Sequence, residues 1–93
     1  MSYTKESAID SAKTDLAERL KISVGDVNED SVADHDFPDM ALGATIHGEM
    51  AAQMISSGWR IGLKAKGKDY EYRADKYQLR LYNFNGANYV IGS

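Results

Sequence analysis

The chain has 93 residues, a formal net charge of −3 and no cysteine, with 43 % apolar and 27 % charged residues. This length supports one core, so we expect a single domain over residues 1–93, and the lack of cysteine excludes disulfides, thiolate metal sites and cysteine nucleophiles. No apolar run approaches the about 20 residues of a membrane helix, and the polar start does not resemble a signal peptide. We expect no membrane association and a cytoplasmic protein, or a secreted or periplasmic one if a leader has been removed.

Charge is divided unevenly along the chain. Residues 1–46 hold four basic and ten acidic side chains, whereas residues 47–93 hold seven basic and four acidic ones. Two interpretations stay open. Either the two halves complement each other across the folded surface, which we favour, or the basic half attracts an acidic partner.

An amphipathic helix is predicted over about residues 4–21. Its apolar residues recur at spacings of three and four and form one stripe, made of Ile9, Ala12, Leu16 and Leu20. Thr4 or Ser7 is suited to cap the first turn. A single apolar stripe indicates a single packing partner.

Antiparallel strands are predicted for most of the remaining chain. Alternation of apolar and polar residues is clearest in "GWRIGLKAK" and "DYEYRA", which Gly67-Lys68 would join as a hairpin, and Asn85-Gly86 marks another. The predicted strands cover about residues 27–34, 49–55, 59–66, 69–74, 77–83 and 87–91. The predicted fold is therefore α+β, with one N-terminal amphipathic helix packed on a curved antiparallel sheet of four to six strands.

Three details of the sheet are open to a structural check. The run of residues 49–55 fits a helix or a strand, and we favour a strand because Ser56-Ser57-Gly58 is typical of a turn. Gly62, inside an alternating strand, indicates a bulge or a close approach by another backbone. The large aromatic residues of the hairpins are expected in the core; these are Trp59, Tyr70, Tyr72 and Tyr77.

A long loop over about residues 36–48 contains the only proline of the chain. Pro38 holds the preceding residue in an extended conformation, and Pro38-Asp39 favours a turn, so the loop should have a defined shape. Its apolar side chains could cap an open end of the core or could contact a partner. The candidate binding residues are Phe37, Pro38, Asp39, Met40, Leu42, His47 and Glu49.

Metal binding and catalysis have weaker support. The nitrogen and oxygen ligands near the loop are Asp34, His35, Asp36, His47 and Glu49. Strand alternation would direct His35 away from the two neighbouring carboxylates, so we expect no metal and no cofactor. Neither a Gly-x-Ser-x-Gly turn, a phosphate-binding glycine loop nor a His-Glu-x-x-His motif is present, and we expect no catalytic residues and no enzymatic activity.

A nucleic-acid surface is a further alternative, because basic residues lie on the polar face of one predicted strand. They are Arg60, Lys64 and Lys66. Arg73, with Arg80 on a later strand, could join them, and Tyr82 could add a stacking surface. Asp69 and Glu71 lie opposite these cations in the predicted hairpin and would pair with them. We therefore expect a salt-bridged solvent face and no nucleic-acid partner.

The order of motifs resembles a small, largely uncharacterised bacterial domain family, over roughly residues 8–75. The shared elements are a helix of the "AKTDLAERLKI" type, then Phe37-Pro38-Asp39, Leu42-Gly43, Gly58-Trp59-Arg60-Ile61 and Tyr70-Glu71-Tyr72. In that family a cysteine commonly follows the Leu-Gly pair, where this chain has Ala44, and the segment after Tyr77 differs. The helix-then-sheet layout also resembles PepSY-like and cystatin-like domains, which are typically noncatalytic and often act as peptidase-associated or inhibitory modules.

The resemblance and the shaped loop together lead to one functional expectation. We expect a noncatalytic protein-binding module, peptidase-inhibitor-like or regulatory, that contacts another protein, with peptidases one candidate class, through the 37–49 loop. The alternative is a self-associating structural domain, because the last predicted strand, "ANYVIG", is uncharged and would pair with a copy of itself at a sheet edge. The expected state is a monomer or a weak homodimer.

Overall fold

The computed structural model describes residues 2–93, and its first element is an α-helix, α1, Lys5–Leu20. Thr4 caps the helix: its hydroxyl accepts from the Ser7 N–H at 3.1 Å, and the Ser7 hydroxyl accepts from the Thr4 N–H at 2.9 Å. Lys21, at φ +56°, ends it with a left-handed cap. No helix of the described residues is long and apolar enough to cross a membrane.

Five strands follow a short 3₁₀ turn at Val24–Asp26. They pair antiparallel in chain order, so that the first and last strands form the two edges of an open sheet. Their bounds are Asn28–Phe37 for β1, Ser56–Ala65 for β2, Lys68–Ala74 for β3, Leu79–Phe84 for β4 and Ala87–Gly92 for β5. The predicted α+β class, with one helix on a four- to six-stranded antiparallel sheet, is confirmed.

One face of the sheet packs on α1 and forms the core. The helix contributes small side chains, Ala8 and Ala12, together with Leu16, and the strands contribute mainly Ile61, Leu63, Tyr72, Leu79 and Leu81. The small residues let the helix lie close to the sheet. The Tyr72 hydroxyl donates to an Asp15 carboxylate oxygen at 2.7 Å. Burial of the ring, together with this carboxylate, raises the pKa of Tyr72 far above its ordinary value.

The irregularity expected at Gly62 is present. The pairing of β1 with β2 shifts register between Glu29 and Ser31, and Gly62 pairs with Ser31 at this point. A Cβ atom on Gly62 would lie 2.6 Å from the Ser31 hydroxyl oxygen, so a side chain there would have to displace that hydroxyl. The glycine therefore permits the bulge that bends this edge of the sheet.

Three local predictions are wrong. Residues 49–55 form no strand, because β1 already occupies the edge of β2 that they would need. Ser56-Ser57-Gly58 is the beginning of β2 and not a turn, so the loop between β1 and β2 runs over residues 38–55 and is longer than the predicted 36–48. Tyr77 is 62 % exposed, since it lies in the short turn between β3 and β4, whereas Tyr72 is fully buried as expected.

Candidate functional site

The loop of residues 38–55, here called the crossover loop, folds over the sheet face opposite α1. Strand alternation directs Arg73 and Arg80 to that face, and both donate hydrogen bonds to carbonyl groups of the loop. Phe37, the last residue of β1, and three apolar side chains of the loop have almost no exposed surface; the three are Ala41, Leu42 and Ala44. They form a small second core beneath the loop.

Asp39 shapes the first turn of the crossover loop. One of its carboxylate oxygens accepts from the Ala41 N–H at 2.9 Å and from the Gly43 N–H at 3.1 Å. This turn brings Leu42 into a left-handed conformation at φ +59°, which is unusual for a residue with a side chain. Gly43 follows at φ +65°, where a Cβ atom would lie 2.7 Å from an Arg73 guanidinium nitrogen. The Pro-Asp and Leu-Gly pairs therefore build one compact turn.

Arg73, on β3, fixes that turn to the sheet. It donates to the Leu42 carbonyl at 3.0 Å and to the Glu71 carboxylate at 2.7 Å. Its guanidinium carbon lies 3.6 Å from the centre of the Tyr82 ring and 5.7 Å from that of Phe37, so the cation also stacks on aromatic rings. Burial tends to raise the pKa of Glu71, but hydrogen bonds from arginines outweigh this effect and lower it.

Arg80, on β4, fixes the middle of the crossover loop. It donates to both carboxylate oxygens of Glu49, at 2.5 and 2.6 Å, and to the Ala44 carbonyl at 3.1 Å. The side chain of Arg80 is only 7 % exposed and that of Glu49 is 23 % exposed. The hydrogen bond from Arg80 lowers the pKa of Glu49 from its ordinary value, against the opposing effect of burial. Gln78 adds a bond to the Met40 carbonyl at 2.5 Å.

The seven sequence-predicted binding residues thus fall into two groups. Four of them build the loop and its attachment: Phe37, Asp39, Leu42 and Glu49. Pro38 and His47 are exposed, and Met40 is half-buried. Phe37 and Leu42 have no surface to offer a partner in this conformation, because they fill the second core. Whether the loop binds a protein stays a prediction.

The second half of the crossover loop contains apolar surface that the sequence prediction missed. Met50 is 97 % exposed, Met54 63 % and Ile55 72 %. Within the described residues, one backbone bond holds this segment to the first half, from the Met40 N–H to the Ala52 carbonyl at 3.0 Å. The absence of charge from residues 50–58 is the sequence signal for this surface, although residues 49–55 also alternate as a strand does.

Several residues of the alternative metal and nucleic-acid sites contact neighbouring side chains. The His35 ring packs edge-on against Phe37, with 4.7 Å between the ring centres, and Asp36 accepts from the Ser57 hydroxyl at 2.8 Å. Between residues 2 and 93, no three side chains of His, Cys, Asp or Glu are placed to hold a metal ion. On the polar face of the β2–β3 hairpin, the expected cross-strand ion pairs are present as Arg60–Glu71 at 3.3 Å and Lys64–Asp69 at 3.5 Å.

Comparison with known families gives one match. The family described as Domain of unknown function (DUF8738) matches residues 9–81. The chain belongs to this family. The match includes most of α1, β1 to β3, the crossover loop and part of β4, so the expected membership of an uncharacterised domain family is confirmed. No curated protein and no solved structure shows a significant match.

Proposed function

We propose that this DUF8738 domain is a noncatalytic protein-binding module whose contact surface is the crossover loop. The observation that carries the proposal is the exposure of Met50, Met54 and Ile55 in a loop that is otherwise fixed to the sheet. Exposed apolar surface is costly in water and commonly marks a binding site when it is concentrated in one place. Methionine suits such a surface, because its flexible thioether adapts to a partner.

The two halves of the loop have different roles in this proposal. The first half is held in place by hydrogen bonds. Asp39 accepts from backbone N–H groups within the loop, and Arg73 and Arg80 donate from the sheet to the Leu42 and Ala44 carbonyls. A fixed base reduces the conformational entropy that the loop loses on binding. The second half, residues 50–55, supplies the apolar contacts. Met40 is joined to it by the backbone bond to Ala52, and Pro38 and His47 are exposed residues of the same loop.

The test compares two variants in which exposed apolar side chains are replaced by serine, three in the crossover loop and two elsewhere. Replacing Met50, Met54 and Ile55 together by serine removes the apolar surface of the loop. Val24→Ser with Tyr77→Ser removes exposed apolar surface elsewhere and serves as the control. Affinity capture identifies a partner, and calorimetry with the purified partner measures Kd. The loop variant should bind at least about tenfold more weakly, equivalent to about 1.4 kcal/mol. Equal affinity of the loop variant and the wild-type protein would refute the proposal.

A finer form of the proposal makes the partner a peptidase. Its support is the helix-then-sheet layout, which is similar to that of cystatin-like and PepSY-like domains. The direct test measures the activity of one serine, one cysteine and one metallopeptidase against a peptide substrate, with increasing amounts of the protein. Inhibition that the loop variant loses would support this role. Full activity of all three enzymes at a large excess of the protein would count against inhibition of these classes.

A second candidate function is self-association through β5. It is supported by the position of β5 at one edge of the sheet and by the absence of charge from Ala87–Gly92. Sedimentation velocity at increasing protein concentration tests it, with Val90→Lys as the variant that should return a dimer to the monomer. A monomer at the highest concentration would exclude this candidate.

A further inference from the structure

The outer side of β5 is an unpaired strand edge. Strand β5 pairs only with β4, and between residues 2 and 93 no backbone hydrogen bond joins Ala87–Gly92 to any other element. The opposite edge, β1, is protected by charge, since it contains Glu29, Asp30, Asp34 and Asp36. Tyr3 lies against the Gly92 end of β5, whereas Ala87, Tyr89 and Val90 are exposed.

A shallow, open groove lies between α1 and Ile91 of β5. It has a volume of about 440 Å³ and is lined by Asp10, Ser11, Thr14, Asp15, Glu18 and Ile91. Asp15 is already engaged, because it accepts from Arg19 at 2.7 Å and from the Tyr72 hydroxyl. Asp10 and Glu18 are exposed and form no ion pair with any of residues 2–93. The α1 side of the groove, here called its wall, therefore presents two carboxylates unpaired within the described residues, and Ile91 is the apolar residue of the lining.

The charge of the groove distinguishes between two occupants of the edge. A second copy pairing through β5 would form a continuous sheet with two helices on the same face, and their acidic sides would face each other. Asp10 and Glu18 of each copy would repel those of the other, and like charges brought together are unfavourable. An extended peptide with basic side chains would pair with the same backbone groups and place its cations against the acidic wall.

We infer that the groove between α1 and β5 binds an extended basic peptide, which adds to the sheet as a sixth strand beside β5. Main-chain hydrogen bonds to β5 would provide affinity, while Asp10 and Glu18 would select for lysine or arginine and Ile91 would contact an apolar side chain. The crossover loop contacts β5 through the bond from the Asn88 amide to the Thr45 carbonyl at 2.9 Å, but it contributes no residue to the lining of this groove. The existence of the peptide site does not depend on the function proposed for that loop.

The probe is a fluorescein-labelled peptide of about eight residues, an ordinary strand length, in which lysine and valine alternate. A peptide with glutamate in place of lysine is the control. Fluorescence polarisation with the full chain measures Kd, and amide exchange reports on Ala87–Gly92. The lysine peptide should bind at least about tenfold more tightly than the glutamate peptide. Its binding should slow exchange of the β5 amides.

Two double variants separate this site from general electrostatic attraction. Asp10→Lys with Glu18→Lys reverses the wall of the groove and should reverse the preference between the two peptides. Asp26→Lys with Asp34→Lys makes the same change of net charge at exposed positions elsewhere, and should change Kd less than about threefold. The serine variant of Met50, Met54 and Ile55 should bind the lysine peptide as the wild-type protein does, whatever the outcome for the loop.

Three results would overturn the inference. The first is binding of the lysine peptide without protection of the β5 amides, which would indicate charge attraction alone. The second is an equal loss of affinity in both charge-reversed variants. The third is a dimer that protects the same amides in the absence of peptide, which would assign the edge to a second copy of the chain.

Discussion

The attachment of the crossover loop by Arg80 can be tested quantitatively with Arg80→Met. Methionine keeps an apolar side chain of similar length and removes the donors to Glu49 and Ala44. Removing one partner of a buried ion pair costs about 3–5 kcal/mol, because the other charge is left uncompensated. Since Glu49 is 23 % exposed and can be partly hydrated, we expect the lower end, about 3 kcal/mol of unfolding free energy.

The matched control is Arg60→Met on the same sheet face. Arg60 is 48 % exposed and pairs with Glu71 at 3.3 Å, so its removal should cost at most about 1 kcal/mol. Urea unfolding followed by the fluorescence of Trp59, the only tryptophan, measures both losses. In a double-mutant cycle with Glu49→Gln, the coupling to Arg80 should be about 2 kcal/mol.

A loss for Arg80→Met no greater than that for Arg60→Met would refute the reasoning. It would mean that the loop keeps its place without the ion pair. Amide exchange of the loop provides an independent readout. The Ile46 N–H, which donates to the Glu49 carboxylate at 3.2 Å, should exchange faster in Arg80→Met and at an unchanged rate in Arg60→Met. A large stability loss with unchanged exchange in the loop would assign the cost to the sheet and not to the loop.

Three further predictions concern the loop and the core. The folded pKa of Glu49 lies below its unfolded value. Its ion pair should therefore stabilise the protein fully above the unfolded pKa and lose that contribution as pH falls through the folded pKa. In acid unfolding experiments, the stability of Glu49→Gln should lack this pH-dependent contribution. Gly43→Ala should lower the unfolding free energy by about 2 kcal/mol, since Gly43 has a positive φ and its Cβ would lie 2.7 Å from an Arg73 guanidinium nitrogen. Gly67→Ala, at a positive φ with open space around it, should cost about 1 kcal/mol in the same urea titration. Equal losses for the two variants would show that the contact with Arg73 adds no cost. Tyr72→Phe should cost about 1 kcal/mol by removing the bond to Asp15, and a loss near zero in urea unfolding would show that the bond contributes nothing net.

Local sequence patterns are sufficient to predict the helix and the hairpins of this fold. The helix was predicted within one residue of Lys5–Leu20, because its apolar period and its capping residues are properties of neighbours along the chain. The hairpins around Gly67 and Asn85-Gly86 followed from alternation and turn chemistry, as did the cross-strand pairing of Arg60 with Glu71. The turn at Pro38-Asp39 was also expected.

The position of the crossover loop on the sheet could be determined only from the tertiary structure. Arg73 and Arg80 follow their loop partners by 31 residues, and nothing in the sequence near Leu42 or Glu49 indicates which cation will reach them. The run at residues 49–55 alternates like a strand, yet β1 occupies the place beside β2.

The sequence by itself therefore determined the helix, the meander of strands and the existence of a shaped loop. Only the tertiary structure decided that Phe37 and Leu42 are buried, that Met50 and Ile55 are exposed, and that the free edge of β5 lies beside the acidic side of α1. The physical reason is that backbone preference and side-chain period act over a few residues, whereas burial and ion pairing depend on strand register, which joins residues far apart in the chain.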